Sequence, residues 1–269
     1  MASAPFTVRT CRTGGVTAVE AHTAHAFGRH LHEQFGIGVI EAGAQRSASG
    51  RGMVEAQAGD TITVNAGEVH DGMPLDGQPR AWRMLYFDPA HIAAAAADLS
   101  EGAAGELVFE HPAQRNAETA RRFRKLYRAM TDLNGIDHTT ATLACDESLL
   151  LLLDALLETR PATTAPDTVG RAQTRIDDDP AGHHSLADLA GEANLSRFQL
   201  VRAFARATGL TPHAYLLQRR INLARRLIAD GMALSSAAMA TGFADQSHMT
   251  RLFVRSFGIT PARFAAAMA

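Results

Sequence analysis

The 269-residue sequence is poor in cysteine and lysine and has no long apolar stretch. Its two cysteines, Cys11 and Cys145, are too few for a disulfide framework or a structural zinc site. The run of leucines at 149–153 is far shorter than the ~18 apolar residues of a membrane-spanning helix. The first residues lack a charged start followed by an apolar run, so we expect no signal peptide. These absences favour a cytoplasmic protein without a membrane segment.

The short motifs that mark common catalytic sites are also missing. The sequence contains no phosphate-binding glycine loop, no nucleophile elbow and no pair of carboxylates on one helix face. We therefore expect a protein that is not an enzyme, with no catalytic residue and no cofactor.

The charge is divided unevenly along the chain, although the net charge is only −2. Residues 169–269 hold 12 Arg against 7 Asp and Glu, a net charge of +5, so residues 1–168 carry −7. Lys125 is the only lysine, and the basic part relies on arginine alone. A basic C-terminal part fits contact with phosphates, although a charge of this size does not establish it.

Two kinds of pattern divide the chain. From residue 15 to about 88, short apolar runs alternate with glycines, which is typical of a β-sandwich or small barrel. From about residue 116 the apolar residues follow helical spacing, with a second helix expected at about 139–159. We therefore predict a two-domain α+β fold. Its expected segments are a β-barrel at 1–112, a helical dimerisation or packing region at 113–160, a linker at 161–168 and an all-α domain at 169–269.

The last hundred residues contain one pattern twice. The segment LVRAFARATGLTP, which starts at Leu200, lies over MTRLFVRSFGITP at a constant offset of 49 residues. Upstream of it the offset is 48, so one residue has been added at the intervening turn. Each copy reads as helix, tight turn and helix, which is the pattern of a helix-turn-helix DNA-binding unit.

Capping residues mark where the helices of these copies begin and end. Ser185, Ser196 and Asp245 are suited to helix starts, and Gly209 is suited to a helix end. A longer helix at 212–230 joins the two copies. We expect its four arginines to lie on a solvated side; they are Arg219, Arg220, Arg225 and Arg226.

These residues carry a resemblance to a known family. The segments LADLAGEANLSRFQLVRAFARATGLTPHAYL and ALSSAAMATGFADQSHMTRLFVRSFGITPARF are similar to the two helix-turn-helix units of the AraC/XylS family of bacterial transcriptional regulators. The resemblance covers about 169–267 and departs from the family at Met249, where Phe is usual, and at Ala237, where Ile is common. Both changes keep an apolar residue at a core position.

The resemblance implies that one face of each second helix contacts base edges. The implied base contacts are Phe198, Val201 and Arg202 in the first unit and Gln246, Ser247, His248, Thr250 and Arg251 in the second. Arginine matches guanine, glutamine matches adenine, and an apolar side chain can contact the thymine methyl group. We assign Arg197, Arg206 and Arg255 to phosphates, which position the protein without specifying sequence. The alternative is that these arginines form an ordinary solvated helix face.

The N-terminal half contains two histidine-bearing segments, RHLHEQFGIGVIEAG from residue 29 and GDTITVNAGEVHDGMP from residue 59. They resemble the two motifs of the cupin fold that AraC-type regulators use for effectors. The resemblance implies an effector pocket containing His30, His32, Glu68, His70, Trp82 and Tyr86. A metal held by the three histidines is an alternative. The metal-binding cupins place a glutamate where this chain has Gly36 and Ile37, so we predict no metal.

We therefore predict a sequence-specific transcriptional regulator, an effector-responsive activator that binds double-stranded DNA and senses a small molecule. The resemblance also implies a homodimer and, for an activator, contact with RNA polymerase. Two alternatives stay open: a cupin-type metal-dependent enzyme fused to a DNA-binding domain, and a constitutive DNA-binding protein without an effector.

Overall fold

The computed structural model describes residues 6–100, 106–132, 138–160 and 169–269. The chain forms two compact units. The first unit comprises Met1–Ala26 and His32–Thr163, and the second comprises Phe27–Leu31 and Thr164–Ala269. The predicted linker, 161–168, lies outside the described residues.

The first unit is built mainly from antiparallel strands. Its strands are β1 (Phe6–Thr10), β2 (Val16–Thr23), β4 (Phe35–Ala42), β5 (Ala44–Ser49), β6 (Gly52–Gln57), β7 (Thr61–Val64), β8 (Val69–Pro74), β9 (Arg80–Phe87), β10 (Glu106–Phe109), β11 (Ala113–Gln114) and β12 (Leu157–Arg160). A six-stranded sheet has the order β1-β2-β9-β4-β7-β11. A second sheet of this unit contains β8, β5 and β6 in that order, and β3 (Phe27–Leu31) belongs to the second unit. The predicted β-rich N-terminal domain is confirmed.

Strand β9 gives the two faces of the six-stranded sheet different environments. Successive side chains of a strand point to opposite faces. Leu85 and Phe87 are completely buried in the core beneath the helices of this unit. Tyr86 lies on the opposite face, and its paired residue in β4 is Gly36. A Cβ at Gly36 would lie 3.1 Å from the Tyr86 ring, so the glycine leaves the space that this ring occupies.

Three helices complete the first unit: α1 (Pro89–Ser100), α2 (Ala117–Thr131) and α3 (His138–Asp154). The side chain of Asn116 caps α2, as a helix start at about residue 116 predicts. The second predicted helix is too long, because Leu157–Arg160 form β12 and pair with β10. The sequence pattern also missed α1, whose alanines give only a weak apolar face.

The second unit contains the helices α4 (Gly170–Asp178), α5 (Leu186–Glu192), α6 (Arg197–Thr208), α7 (Pro212–Ala229), α8 (Leu234–Ala240), α9 (Gln246–Phe257) and α10 (Pro261–Met268). The starts of α5 and α8 differ by 48 residues, whereas the starts of α6 and α9 differ by 49. The structural repeat therefore has the offsets found in the sequence, and the predicted all-α domain with two helix-turn-helix units is confirmed. None of the described helices meets the length and apolarity that a membrane crossing requires.

The turn of each helix-turn-helix unit contains one residue in the left-handed backbone region. In the first helix-turn-helix unit it is Asn194, with φ 53°, and in the second helix-turn-helix unit it is Gly242, with φ 75°. These positions are 48 residues apart, so the inserted residue follows the left-handed position. Asparagine and glycine are the residues that tolerate this conformation best.

Candidate DNA interface and effector site

Helix α6 is held by caps at both ends and by a buried face. Ser196 and Gln199 form a reciprocal capping box at its start, and Gly209 ends it with φ 78°. Leu200 and Phe204 are completely buried. With one face fixed in the core, the other face of α6 is left open.

The open face of α6 carries most of the DNA contacts predicted for the first helix-turn-helix unit. Its exposed residues include Arg197, Phe198, Arg202 and Arg206, whereas Val201 is half-buried. Phe198 is 69% exposed, which is unusual for an aromatic ring. The Cζ atom of Arg202 lies 5.7 Å from the centroid of that ring.

Helix α9 repeats this architecture in the second helix-turn-helix unit. The Asp245 side chain accepts a hydrogen bond from the backbone N–H of His248 and caps the helix, while Met249 and Phe253 are completely buried. The predicted contacts Gln246, Ser247, Arg251 and Arg255 are exposed, and Thr250 is half-buried.

His248 is the predicted contact of α9 that is most engaged within the protein. Its half-buried ring packs edge-on against Phe243, with 5.3 Å between the ring centroids. The residue at the corresponding position of α6 is Gln199, whose side chain is used in the capping box. The third residue of each recognition helix therefore serves the local fold.

The prediction that all four arginines of α7 lie on a solvated side is wrong. Arg220 donates hydrogen bonds to the carbonyls of Pro180, Gly182 and Gly242 at 2.8, 3.0 and 2.7 Å. Arg219 is largely buried and forms an ion pair of 2.8 Å with Asp177 of α4. These residues stabilise the second unit, because their guanidinium groups satisfy backbone carbonyls and a carboxylate.

Strand β3 makes contacts with the helices that the sequence does not indicate. Asn222 of α7, which is completely buried, donates a hydrogen bond of 3.2 Å to the Leu31 carbonyl. Arg29 donates one of 3.1 Å to the Gly209 carbonyl. Because these partners are 191 and 180 residues apart in the chain, no local sequence pattern could have revealed them.

The strand-rich N-terminal unit brings three of the predicted effector residues together. The His32 ring lies 5.2 Å from the His70 ring and 5.1 Å from the Tyr86 ring, measured between centroids. The Nδ1 atom of His70 lies 3.0 Å from the Glu68 carbonyl oxygen, so Nδ1 carries the proton of that hydrogen bond. Burial lowers the pKa of His70, which favours the neutral ring.

His30 lies in β3, two residues before His32. Its Nδ1 atom lies 2.7 Å from the Gly28 carbonyl oxygen, an arrangement like that of His70. His30 belongs to the second compact unit, whereas His32 and His70 belong to the first.

Glu68 and Trp82 are occupied by protein groups. Arg51 forms an ion pair of 2.7 Å with Glu68, and both side chains are nearly buried. Burial raises the pKa of Glu68, but the hydrogen bonds and charge of Arg51 outweigh it and leave the pKa below its ordinary value. Trp82 is buried, with the edge of Phe6 on one side and Arg80 over its ring.

Arg80 packs against Trp82, a predicted effector residue, and the sequence analysis did not single it out. It is 1% exposed and lies 4.7 Å from the centre of the Trp82 ring, and burial lowers its pKa to about 10. It donates hydrogen bonds to the carbonyls of His25 and Gly72 and to the side chain of Gln45. A charged residue at the start of a strand normally suggests a solvated edge, so nothing in the local sequence indicates this burial.

Family comparisons agree with this architecture. Residues 13–153, just over half of the chain, match the AraC-like ligand binding domain, and residues 189–267 match a helix-turn-helix domain. The chain belongs to the AraC family of DNA-binding transcriptional regulators.

Several AraC-family relatives are similar in sequence. The uncharacterized HTH-type transcriptional regulator YbfI of Bacillus subtilis (strain 168) is 26% identical over 231 residues, covering 83% of this chain and 81% of YbfI. The probable transcriptional regulator LumQ of Photobacterium leiognathi is 38% identical over 81 residues, 30% of this chain and 33% of LumQ.

Solved structures of ToxT from Vibrio cholerae share the fold. An apo form has a TM-score of 0.60 at 12% identity, covering 97% of this chain and all of that chain. A form bound to an unsaturated fatty acid has a TM-score of 0.59 at 13% identity, covering 98% of this chain and 95% of that one. At such identities the likeness concerns the fold alone.

Proposed function

We propose that this AraC-family regulator is an effector-responsive transcriptional activator, and that α6 and α9 bind successive stretches of major groove. The observation that carries this proposal is the structural repeat, which presents an exposed, arginine-bearing helix face twice, each time with a side-chain cap at the helix start, a left-handed glycine at its end and buried apolar residues at matched positions. A solvated helix face without a binding role would not require both copies to keep the same open side.

Within this proposal, Arg202 and Arg251 bind guanine bases, since each occupies the same position of its helix and is exposed. Phe198, Val201, Gln246, Ser247 and Thr250 supply the other base contacts, and His248 contributes from a half-buried position. Arg197, Arg206 and Arg255 hold phosphates. The proposed partner is promoter DNA in the cytoplasm.

The proposed effector is a small organic molecule that lies between the two sheets of the first unit. His32, His70 and Tyr86 converge in the first unit, and burial favours the neutral form of His70. We keep His30 and Trp82 as lining residues and assign Glu68 to the ion pair with Arg51. ToxT has been solved with a bound unsaturated fatty acid, which makes amphipathic acids a first class to test.

Strand β3 offers a route by which the effector would change DNA binding. Leu31 accepts a hydrogen bond from Asn222 of the DNA-binding unit, and the next residue in the chain is His32. A ligand that binds His32 better in one conformation than in another would shift the population of the two.

The proposal includes a homodimer and a contact with RNA polymerase. Support for a dimer surface comes from α3, where Leu143 and Leu151 are 69% and 45% exposed. Two exposed leucines at a spacing of eight residues lie on one side of a helix, which suits association with a second copy.

The alternative of a metal-dependent enzyme is favoured by one observation, the closeness of the His32 and His70 rings. Metal analysis of purified protein tests it directly. The enzyme alternative would be favoured if the protein held a stoichiometric transition metal and turned over a substrate, and if His32→Ala lost both the metal and the activity. We expect substoichiometric metal and unchanged DNA affinity after chelation.

The effector proposal is tested by measuring DNA affinity against a panel of small organic acids, alcohols and amides. We expect one class to change the affinity of the wild type and to lose its effect in His70→Ala, whose affinity without ligand stays unchanged. Phe198→Ala serves as the opposite control, because it lies on the DNA-binding face. A response of His70→Ala equal to that of the wild type would remove His70 from the pocket, and a flat response of the wild type to every compound would favour the constitutive alternative.

A further inference from the structure

Arg220 lies near the middle of α7, the helix that joins the two helix-turn-helix units. Its three guanidinium nitrogens donate to three carbonyls that belong to two separate segments. Nε and Nη2 donate to Pro180 and Gly182 in the loop between α4 and α5, which leads into the first helix-turn-helix unit. Nη1 donates to Gly242 in the turn between α8 and α9 of the second. One side chain therefore bonds to both units.

We propose that Arg220 is a positioning residue for DNA binding, which holds the recognition helices α6 and α9 at one separation and one rotation, so that the protein binds two DNA elements at a single spacing. This inference rests on the proposed DNA-binding function and goes beyond it. It names the group that couples the two helix-turn-helix units and the property of the DNA site that this coupling sets.

The loop between α4 and α5 has a defined shape of its own. The Nε2 atom of His184 lies 2.6 Å from the Asp179 carbonyl oxygen and ties the two ends of the loop together. The side chain of Ser185 accepts a hydrogen bond from the backbone N–H of Asp188 and caps α5 at the point where the loop ends. A guanidinium that is bonded to this loop is therefore tied to the first helix-turn-helix unit.

The turn between α8 and α9 is fixed in a similar way. Thr241 is completely buried, and its hydroxyl donates a hydrogen bond of 2.7 Å to the Ala237 carbonyl. The backbone N–H of Phe243 donates one of 3.0 Å to the Ala238 carbonyl. Because these bonds lie on both sides of Gly242, the Gly242 carbonyl is a fixed acceptor for Arg220.

The loop and the turn also approach each other directly. A Cβ at Gly242 would lie 2.8 Å from the Ala181 carbonyl oxygen and 3.0 Å from Arg220 Cζ. Glycine therefore leaves the space in which the two segments meet around the guanidinium. A shift of one helix-turn-helix unit relative to the other would stretch hydrogen bonds of 2.7–3.0 Å, which are strong because their donor is charged.

Each helix-turn-helix unit also packs on α7 through its own side chains. Phe204 of α6 packs edge-on against Tyr215, with 5.4 Å between the ring centroids. Ser256 of α9 accepts a hydrogen bond of 3.4 Å from Gln218. These contacts fix each unit to the joining helix, whereas Arg220 bonds to the loop of one unit and the turn of the other. We therefore expect Arg220 to control how the two units sit relative to each other.

A fixed separation has a measurable consequence on DNA. One added base pair moves the second element about 3.4 Å along the duplex and turns it by about 34° around the axis. Two linked binding modules strengthen each other only when the link allows both to bind at once. A rigid pair therefore loses a contact when the spacing changes, whereas a loosely joined pair can follow the displaced element.

The test uses the full-length protein and the two-element duplex that it selects from a random library. The spacing between the elements is changed by inserting one or two base pairs or by deleting one. Duplexes that contain only one element report the affinity of each helix-turn-helix unit alone.

Three variants loosen the joint, and one is a matched control. Arg220→Ala removes the side chain, and Arg220→Met keeps an unbranched stem but removes every donor. Gly242→Ala forces the loop and the turn apart without changing the arginine. The control is Arg219→Ala, because the ion pair of Arg219 with Asp177 joins α7 to α4 and does not involve the turn of the second helix-turn-helix unit.

We expect the wild type to lose at least about tenfold in affinity when one base pair is inserted or deleted. Arg220→Ala, Arg220→Met and Gly242→Ala should lose about threefold or less for the same change. Their affinity at the selected spacing should fall, because the two helices are no longer preorganised. Arg219→Ala should keep the full loss of the wild type.

The single-element duplexes separate positioning from folding. Affinity for one element should stay within about twofold of the wild type in every variant, since it does not depend on the joint. A variant whose second turn had merely unfolded would instead lose affinity for the second element alone. Melting curves identify any variant that does not fold; Arg220→Met replaces Arg220→Ala in that case, and Gly242→Ala decides if both arginine variants fail.

Three outcomes would overturn the inference. One is a wild type that binds its two elements equally well at every spacing. Another is a full loss of affinity on insertion in the folded Arg220 variants, or in Gly242→Ala where it decides. In the third, Arg219→Ala tolerates the altered spacing as well as Arg220→Met does, which would assign the effect to α7 as a whole. If the wild type selects no two-element motif, the proposed function fails with the inference; if it selects one and tolerates every spacing, only the inference fails.

Discussion

The two helix-turn-helix units share a backbone and differ in their surface chemistry. The residues that fix the fold are repeated: Phe204 and Phe253 are completely buried, and Gly209 and Gly258 end the helices in the left-handed region. The exposed residues are repeated only in part: arginine recurs at Arg202 and Arg251, whereas α6 presents Arg197 where α9 presents Gln246. The repeat therefore preserves a scaffold, and the differences between the copies lie on their open faces.

The units also differ in how their turns are supported. The second turn contains Gly242, whose carbonyl accepts a hydrogen bond from Arg220. The first turn contains Asn194, which is exposed. Arg171, which precedes the first unit by about the interval at which Arg220 precedes the second, is exposed as well. The second helix-turn-helix unit is thus the one whose turn is held by an arginine.

The largest expected effect is that of Arg220→Ala. Three carbonyls would lose a charged donor, and we expect a loss of about 2–4 kcal/mol in the free energy of unfolding of the helical unit. Arg171→Ala is the matched control and should change it by less than about 0.5 kcal/mol. Denaturation followed by helical circular dichroism measures both; equal effects would mean that the second turn is not specially braced.

A slightly smaller effect is expected from Gly242→Ala. An added Cβ would lie 2.8 Å from the Ala181 carbonyl oxygen and 3.0 Å from Arg220 Cζ, at a backbone φ of 75° that alanine adopts poorly. We expect a loss of about 1–3 kcal/mol in the free energy of unfolding. Asn194→Gly is the counterpart in the first helix-turn-helix unit and should leave the free energy of unfolding nearly unchanged. A neutral Gly242→Ala would contradict the close approach.

The helix caps should give the smallest and most similar effects. Asp245→Ala and Ser196→Ala each remove a side chain that accepts from the helix backbone, and we expect about 1 kcal/mol of lost stability for each. Thermal melting of the two single variants and of the double variant measures this. A difference of more than about 1 kcal/mol between them would break the equivalence of the two scaffolds.

A pH titration extends the comparison to the strand-rich N-terminal unit. Because burial lowers the pKa of His70 from its ordinary 6.5, the unfolded chain takes up a proton there more readily than the folded one. The stability of the sheet unit should therefore fall as the pH drops through about 6.5 and continue to fall until the folded pKa is reached. Trp82, the only tryptophan, reports unfolding of this unit by fluorescence.

His70→Asn is the control for that titration, since its amide keeps a donor for the Glu68 carbonyl and does not titrate. We expect a shallower decline in this variant between pH 6.5 and the acid end of the range. The same slope in both proteins would assign the acid sensitivity to other groups.

The sequence predicted the elements whose signals are local. The caps Ser185, Ser196 and Asp245, the left-handed Gly209 and the offset of the repeat are all confirmed. A cap acts within three residues, and an offset needs only the chain itself, so both can be recognised without a structure.

The features that the sequence missed depend on distant parts of the chain. Arg80 and Arg220 appear as ordinary charged residues, and only the folded chain brings backbone carbonyls around them. Strand β12 forms because β10 provides a partner about fifty residues earlier. The roles of the predicted DNA and effector contacts stay predictions, since the geometry establishes their exposure and grouping rather than what they bind.

The most direct test of tandem DNA recognition is a selection from a random duplex library with the full-length protein, at near-physiological salt. It is repeated with Arg202→Ala, Arg251→Ala and the double variant. We predict a motif with two elements about one helical turn apart. Each single variant should lose about 1–3 kcal/mol of affinity for its own element while binding to random DNA survives, and the double variant should recover no motif. Recovery of the same motif by wild type and double variant would contradict the account.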